Sequence, residues 1–85
     1  NYPNPFNPVT TLRYHVPKRS KVTLTIYNML GQRVVALVDE EKDPGYYVLE
    51  WDGRDEIGRD VSTGIYIYRL WSPQQTITRR MVKIK

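Results

Sequence analysis

The 85-residue chain contains no cysteine, so no disulfide or thiolate metal site can staple it. It has one alanine (Ala36), one phenylalanine (Phe6) and one histidine (His15). Scarcity of alanine beside abundant β-branched residues and seven tyrosines disfavours helices and favours strands. No apolar run reaches membrane-spanning length, and residues 1–20 lack the apolar core of a signal peptide. Acids are missing from most of the chain: all nine lie between Asp39 and Asp60, with five basic residues and no acid on either side. A net charge of +4 split in this way suits an acidic middle with basic ends, and ordinary solvated strand faces account for it.

The stretch Trp51–Leu70, W-D-G-R-D-E-I-G-R-D-V-S-T-G-I-Y-I-Y-R-L, organises what is there. A strand arriving at Trp51 meets a polar corner punctuated by Gly53 and Gly58. Gly64 then releases the chain into Ile65-Tyr66-Ile67-Tyr68. Trp51, Gly53, Gly64 and Tyr66 are therefore the residues expected to carry the fold.

Alternation places the other strands. Thr10–Val16 turns Leu12, Tyr14 and Val16 to one face, and Lys21–Tyr27 turns Val22, Leu24 and Ile26 inward. Asn28–Gln32 is a loop with a positive φ expected at Gly31 and with Met29 and Leu30 capping the core. Arg33–Val38 is a third strand whose faces Val34-Val35 blur, and Asp39–Pro44 an acidic turn. Tyr46–Trp51 points Tyr47, Leu49 and Trp51 one way, and Ile65–Trp71 points Tyr66, Tyr68 and Leu70 inward. Thr76–Ile84 closes the chain, with a β-bulge expected at Met81-Val82. A short edge strand at Val61 would make seven. The expectation is an all-β, immunoglobulin-like antiparallel β-sandwich of about seven strands with Greek-key crossover, forming one domain over residues 1–85. Residues 1–9, with prolines 3, 5 and 8, form a stiff extended lead-in. Opening without an export signal of its own, the chain reads as a module from a longer protein.

Catalytic constellations are missing. His15 sits on the polar face of a strand with no local partner, and the serines form no nucleophile elbow. Asp52, Asp55 and Asp60, with Glu56, supply hard oxygens suited to calcium. Their spacing is not that of an EF-hand and Arg54 and Arg59 oppose a cation, so a solvated charged turn is preferred and no metal or cofactor is expected. Stacking on sugars would draw on Trp51, Trp71, Tyr2, Tyr27 and Tyr46, of which Trp51 belongs to the core and Trp71 to the surface. Arg79, Arg80, Lys83 and Lys85 are basic but lack interleaved aromatics, which argues against nucleic acid.

Several motifs together carry a family resemblance. Tyr2-Pro3-Asn4-Pro5-Phe6-Asn7-Pro8 resembles the Y-P-N-P-F-N-P opening of C-terminal sorting domains of the type IX secretion system, and equally the related immunoglobulin-like domain of flagellar hook-capping proteins. Val22–Tyr27 with Asn28 and Gly31-Gln32 is similar to the family's V-x-L-x-I-Y-N-x-x-G-Q. Gly45, Trp51-Asp52-Gly53 and Gly58 are similar to its G-x(5)-W-D-G-x(4)-G run, and Gly64–Leu70 to its G-x-Y-x-Y-R-L strand. Met81–Lys85 is similar to its terminal basic-apolar strand.

The resemblance implies a non-catalytic address tag on a larger exported protein. Its partners would be the outer-membrane machinery of the type IX system and the covalently linked upstream domains. Its destination would be the cell surface or medium, reached through the periplasm of a Gram-negative bacterium. Recognition is expected at Pro3, Asn4, Pro5 and Phe6 and at Lys83, Ile84 and Lys85. The alternative is a carbohydrate-binding or structural accessory domain of a secreted hydrolase.

Overall fold

A computed structural model describes residues 9–84. Six strands follow one another: β1 (Thr10–Val16), β2 (Ser20–Asn28), β3 (Arg33–Lys42), β4 (Gly45–Trp51), β5 (Gly64–Ser72) and β6 (Gln75–Lys83). They form two antiparallel sheets, one of order β1-β4 and one of order β3-β2-β5-β6, so the chain changes sheet between β1 and β2, β3 and β4, and β4 and β5. The period-2 faces read from the sequence meet between the sheets. Leu12, Tyr14 and Val16 of β1 and Trp51 of β4 face Val22, Leu24 and Ile26 of β2 and Tyr66 and Leu70 of β5, all buried. Removing these side chains from water is the main favourable contribution to a fold that has no cross-link.

Four expectations are corrected. Val61 forms no strand, and the corner holds only the isolated bridge between Arg54 and Asp60, so the sandwich has six strands among the described residues. Val61 nevertheless packs half-buried against the core and donates its N–H to the Gly53 carbonyl at 2.9 Å. Asp39–Lys42 is strand, not turn: Asp39, Glu40 and Glu41 sit opposite Thr23, Val22 and Lys21 at the open edge of the larger sheet, where their carboxylates stay in water. Lys21 Nζ reaches Asp39 at 3.2 Å, one local reason acids tolerate a strand here.

The bulge expected at Met81-Val82 is absent, since β5 and β6 keep one register through all nine pairs. The phase looked mixed because Arg79 shares the inner-face phase of Ile77 and Met81 yet is exposed, while the apolar Val82 lies on the outer face. The register shifts lie in the β2–β3 pair, where Leu37 and Val34 are the extra residues, and they explain the blurred phase at Val34-Val35. Finally, Met29 and Leu30 do not cap the core; they are 54% and 83% exposed. Their turn is closed locally, the Asn28 Oδ1 accepting the N–H groups of Leu30 and Gln32 at 2.9 Å each while Gly31 takes φ 82°.

Candidate functional site

The organising stretch folds into a corner that ties the two sheets to the end of the chain. Trp51, 2% exposed, meets Tyr66 edge-on with ring centroids 5.5 Å apart, and its indole N–H donates to the Arg54 carbonyl at 3.0 Å. Tyr66 in turn donates its hydroxyl to the Ser62 carbonyl, 2.7 Å away and four residues back. A tyrosine at the start of a strand bonded to main chain just upstream is the corner device of immunoglobulin-like sandwiches. Gly53, φ 78°, lies under the stem of Lys83, whose Cδ stands 3.3 Å from where a Cβ would fall. Lys83 Nζ donates to the Val61 carbonyl at 3.1 Å. Gly64 differs: it has no positive φ and open space around it, so neither conformation nor crowding demands glycine there.

Across the corner, the carboxylates are engaged by the protein itself. Asp52 Oδ1 accepts from the Arg54 N–H at 3.1 Å, and Asp55 Oδ1 from the N–H groups of Ile57 and Arg59 at 3.1 and 3.0 Å. These Asx turns hold the loop while the guanidinium of Arg54 lies 3.7 Å from Asp52 and 3.9 Å from Asp60. The main-chain bonds from Arg59 and Ile57, with the Arg59 charge, hold the Asp55 carboxyl below its ordinary value. Glu56 faces outward and pairs with Arg33 at 2.6 Å. The arrangement is that of a self-satisfied charged turn.

The residues expected to be recognised divide. Lys83 is buried and fastened across the corner, whereas Ile84 is 63% exposed, as is Val82. Val82 was not singled out from the sequence, although its place opposite inward Met81 would have shown it. Pro3, Asn4, Pro5, Phe6 and Lys85 lie outside the described residues. Trp71 is exposed on the outer face of the larger sheet and Tyr46 on that of the smaller, stacked on His15 at 4.4 Å. Tyr27 shares Trp71's sheet, but its register partner is Ile67, four residues along β5 from Trp71, and Arg69 covers its ring at 5.9 Å. These aromatics form no single flat strip on which a sugar chain would stack.

Fold and corner together define a small immunoglobulin-like β-sandwich whose corner carboxylates hold their own loop. The chain belongs to the secretion system C-terminal sorting domain family, whose model matches residues 1–85. It is thus a sorting signal of type IX secretion, marking the protein that carries it for the cell surface or the medium, and a sorting tail is not a catalytic domain. Such a domain works by engaging the type IX machinery while attached to an upstream parent protein.

Among solved structures, the crystal structure of FlgD from P. aeruginosa is similar over 88% of this chain, with 19% identity and a TM-score of 0.69. The match spans 59% of that FlgD chain and bears on the fold alone. No curated protein matches the sequence.

Proposed function

We propose that the domain is read by the outer-membrane part of the type IX machinery through its terminal strand, and that it does no chemistry itself. The carrying observation is the placement of β6. It is an edge strand of regular register, with Val82 and Ile84 presented to solvent immediately around a Lys83 that is locked to the corner. An exposed edge next to a fixed residue offers a partner both main-chain hydrogen bonds and side chains in known positions. Pro3–Phe6 at the opening and Lys83–Lys85 at the end are the proposed recognition residues. The route runs through the periplasm of a Gram-negative cell.

The test is a reporter carrying a standard export signal at its N-terminus and residues 1–85 at its C-terminus, in a type IX-competent host. Val82→Asp and Ile84→Asp leave the buried core untouched, so both fusions should fold yet remain periplasmic while the parent fusion reaches the surface or medium. Full export of both variants would overturn recognition through the terminal strand.

A further inference from the structure

The two sheets are unequal: among the described residues, two strands lie against four. β4 pairs with only one side of β1, and no described strand pairs with the other. The exposed side can be located: Gln75 Nε2 donates to the His15 carbonyl at 2.9 Å, so the main-chain groups of His15 point away from β4 toward β6. Those of Arg13 and Thr11, two and four residues back in the same strand, point the same way. Beneath this edge lies a cavity of about 60 Å³ walled by Leu12, Tyr14, Tyr68, Leu70 and Ile77, enough for one small aliphatic side chain. It shares Arg13, Tyr14 and Ile77 with a wider, mostly apolar cleft of about 450 Å³ that reaches His15 and Val48.

Charge marks the two lips. Arg13 on β1 and Arg79 on β6 both line the cavity and are exposed, and among the described residues neither has a carboxylate within ion-pair distance. Arg69 and Arg80 share this, whereas Arg19, Arg33, Arg54 and Arg59 are paired with acids, so it is the shared lining of one cavity that sets Arg13 and Arg79 apart. Acids are confined to residues 39–60, and the one on the neighbouring β4, Glu50, sits opposite Thr11 on the outer face.

We propose that this groove between β1 and β6 accepts an extended strand of a partner protein, with aliphatic side chains at alternate positions and carboxylates between them. The assignment rests on the sorting reading above and names the chemistry of the partner segment. The strand adds to the open edge of β1 by hydrogen bonds to Thr11 and Arg13. Its inward side chains seat over Leu70 and Ile77, its outward carboxylates lie beside Arg13, and Arg79, on the inner face of β6, adds positive charge at the mouth of the groove. The chain's own residues 1–8 match this chemistry less well, having no acid and three prolines that cannot donate to a ladder.

The test titrates the full 85-residue chain with a capped hexapeptide alternating valine and glutamate, followed by amide NMR and calorimetry, with a valine–lysine peptide as counterpart. A contact this small should bind with a Kd of roughly 10–500 µM and shift the amides of Thr11 and Arg13. Arg13→Glu combined with Arg79→Glu should weaken the glutamate peptide at least about tenfold and let the lysine peptide bind instead. Ile77→Asp should abolish both.

Absence of binding, or binding that ignores the charge reversal, overturns the proposal. So do Thr11 and Arg13 amides already protected from exchange without peptide, which would show the chain's own opening segment in the groove. Export of the reporter without peptide binding sinks only this inference. Peptide binding with a reporter retained in the periplasm would leave the groove standing and remove the recognition reading.

Discussion

The aliphatic stem of Lys83 lies across Gly53, and its ammonium donates to the Val61 carbonyl 3.1 Å away. A residue near the end of the chain thereby closes the corner in its middle. The Gly53 site has two independent demands, a left-handed φ of 78° and contact with that stem.

Gly53→Ala should therefore cost more than Gly58→Ala, which meets the same kind of φ, 84°, in open space. About 1–2 kcal/mol is expected for the backbone conformation at either site, with a further loss at Gly53 as Lys83 is displaced. Gly64→Ala, free of both demands, should change stability by less than about 0.5 kcal/mol or raise it slightly. Urea unfolding midpoints of the three variants, at unchanged m-value, check the order.

Tyr66 contributes through its ring and its hydroxyl separately. Tyr66→Phe keeps the edge-on contact with Trp51 and removes the bond to the Ser62 carbonyl, for a loss of about 0.5–1.5 kcal/mol. Tyr66→Ala also opens a cavity beside Trp51 and should cost about 3–5 kcal/mol, seen as a lower Tm.

Acid should loosen the corner through Asp55. Its carboxyl titrates below the ordinary 3.8 because the main-chain N–H groups of Arg59 and Ile57 stabilise the anion. A depressed folded pKa adds stability above the unfolded value, and that stability is lost as pH falls from 3.8 through the depressed value. Asp55→Asn keeps an acceptor for the same N–H groups without the titration. The urea midpoint of the variant should fall less steeply below pH 4 than that of the parent; parallel curves would exclude Asp55 as a source of the acid sensitivity.

Asn28 closes its turn with one side chain serving two main-chain donors. Asn28→Ala should cost about 1–2 kcal/mol while leaving the exposed Val82 and Ile84 in place. A reporter fused to this variant should still be exported at a temperature where the domain stays folded.

Alternation made β1, β2, β4 and β5 legible because each has one face in the core and one in water, and a period of two is then written directly in the side chains. The motifs at Trp51-Asp52-Gly53 and Gly64–Leu70 carried the family as well, and apart from Gly64 their residue types answer to local turn and strand geometry. β3 was only half legible. Its acids at Asp39–Glu41 resemble a turn in isolation, and they become strand because β2 supplies a ladder and Lys21 a counter-charge across it.

What the sequence determined by itself is the presence of six of the expected strands, the faces of most of them, the turns at Asn28 and Asp55, and the kinship with sorting domains. These rest on contacts between residues near one another in the chain, or on the one-dimensional period of a half-buried strand. Only the tertiary structure decided that Lys83 is a buried latch rather than a solvent-facing charge, because its partners, Gly53 and Val61, are far away in sequence. It alone decided that, among the described residues, β1 keeps an open edge facing β6, with Arg13 and Arg79 lining the cavity beneath it. Which edges stay unpaired depends on how many strands each sheet receives, and that is settled by long-range pairing across the whole fold.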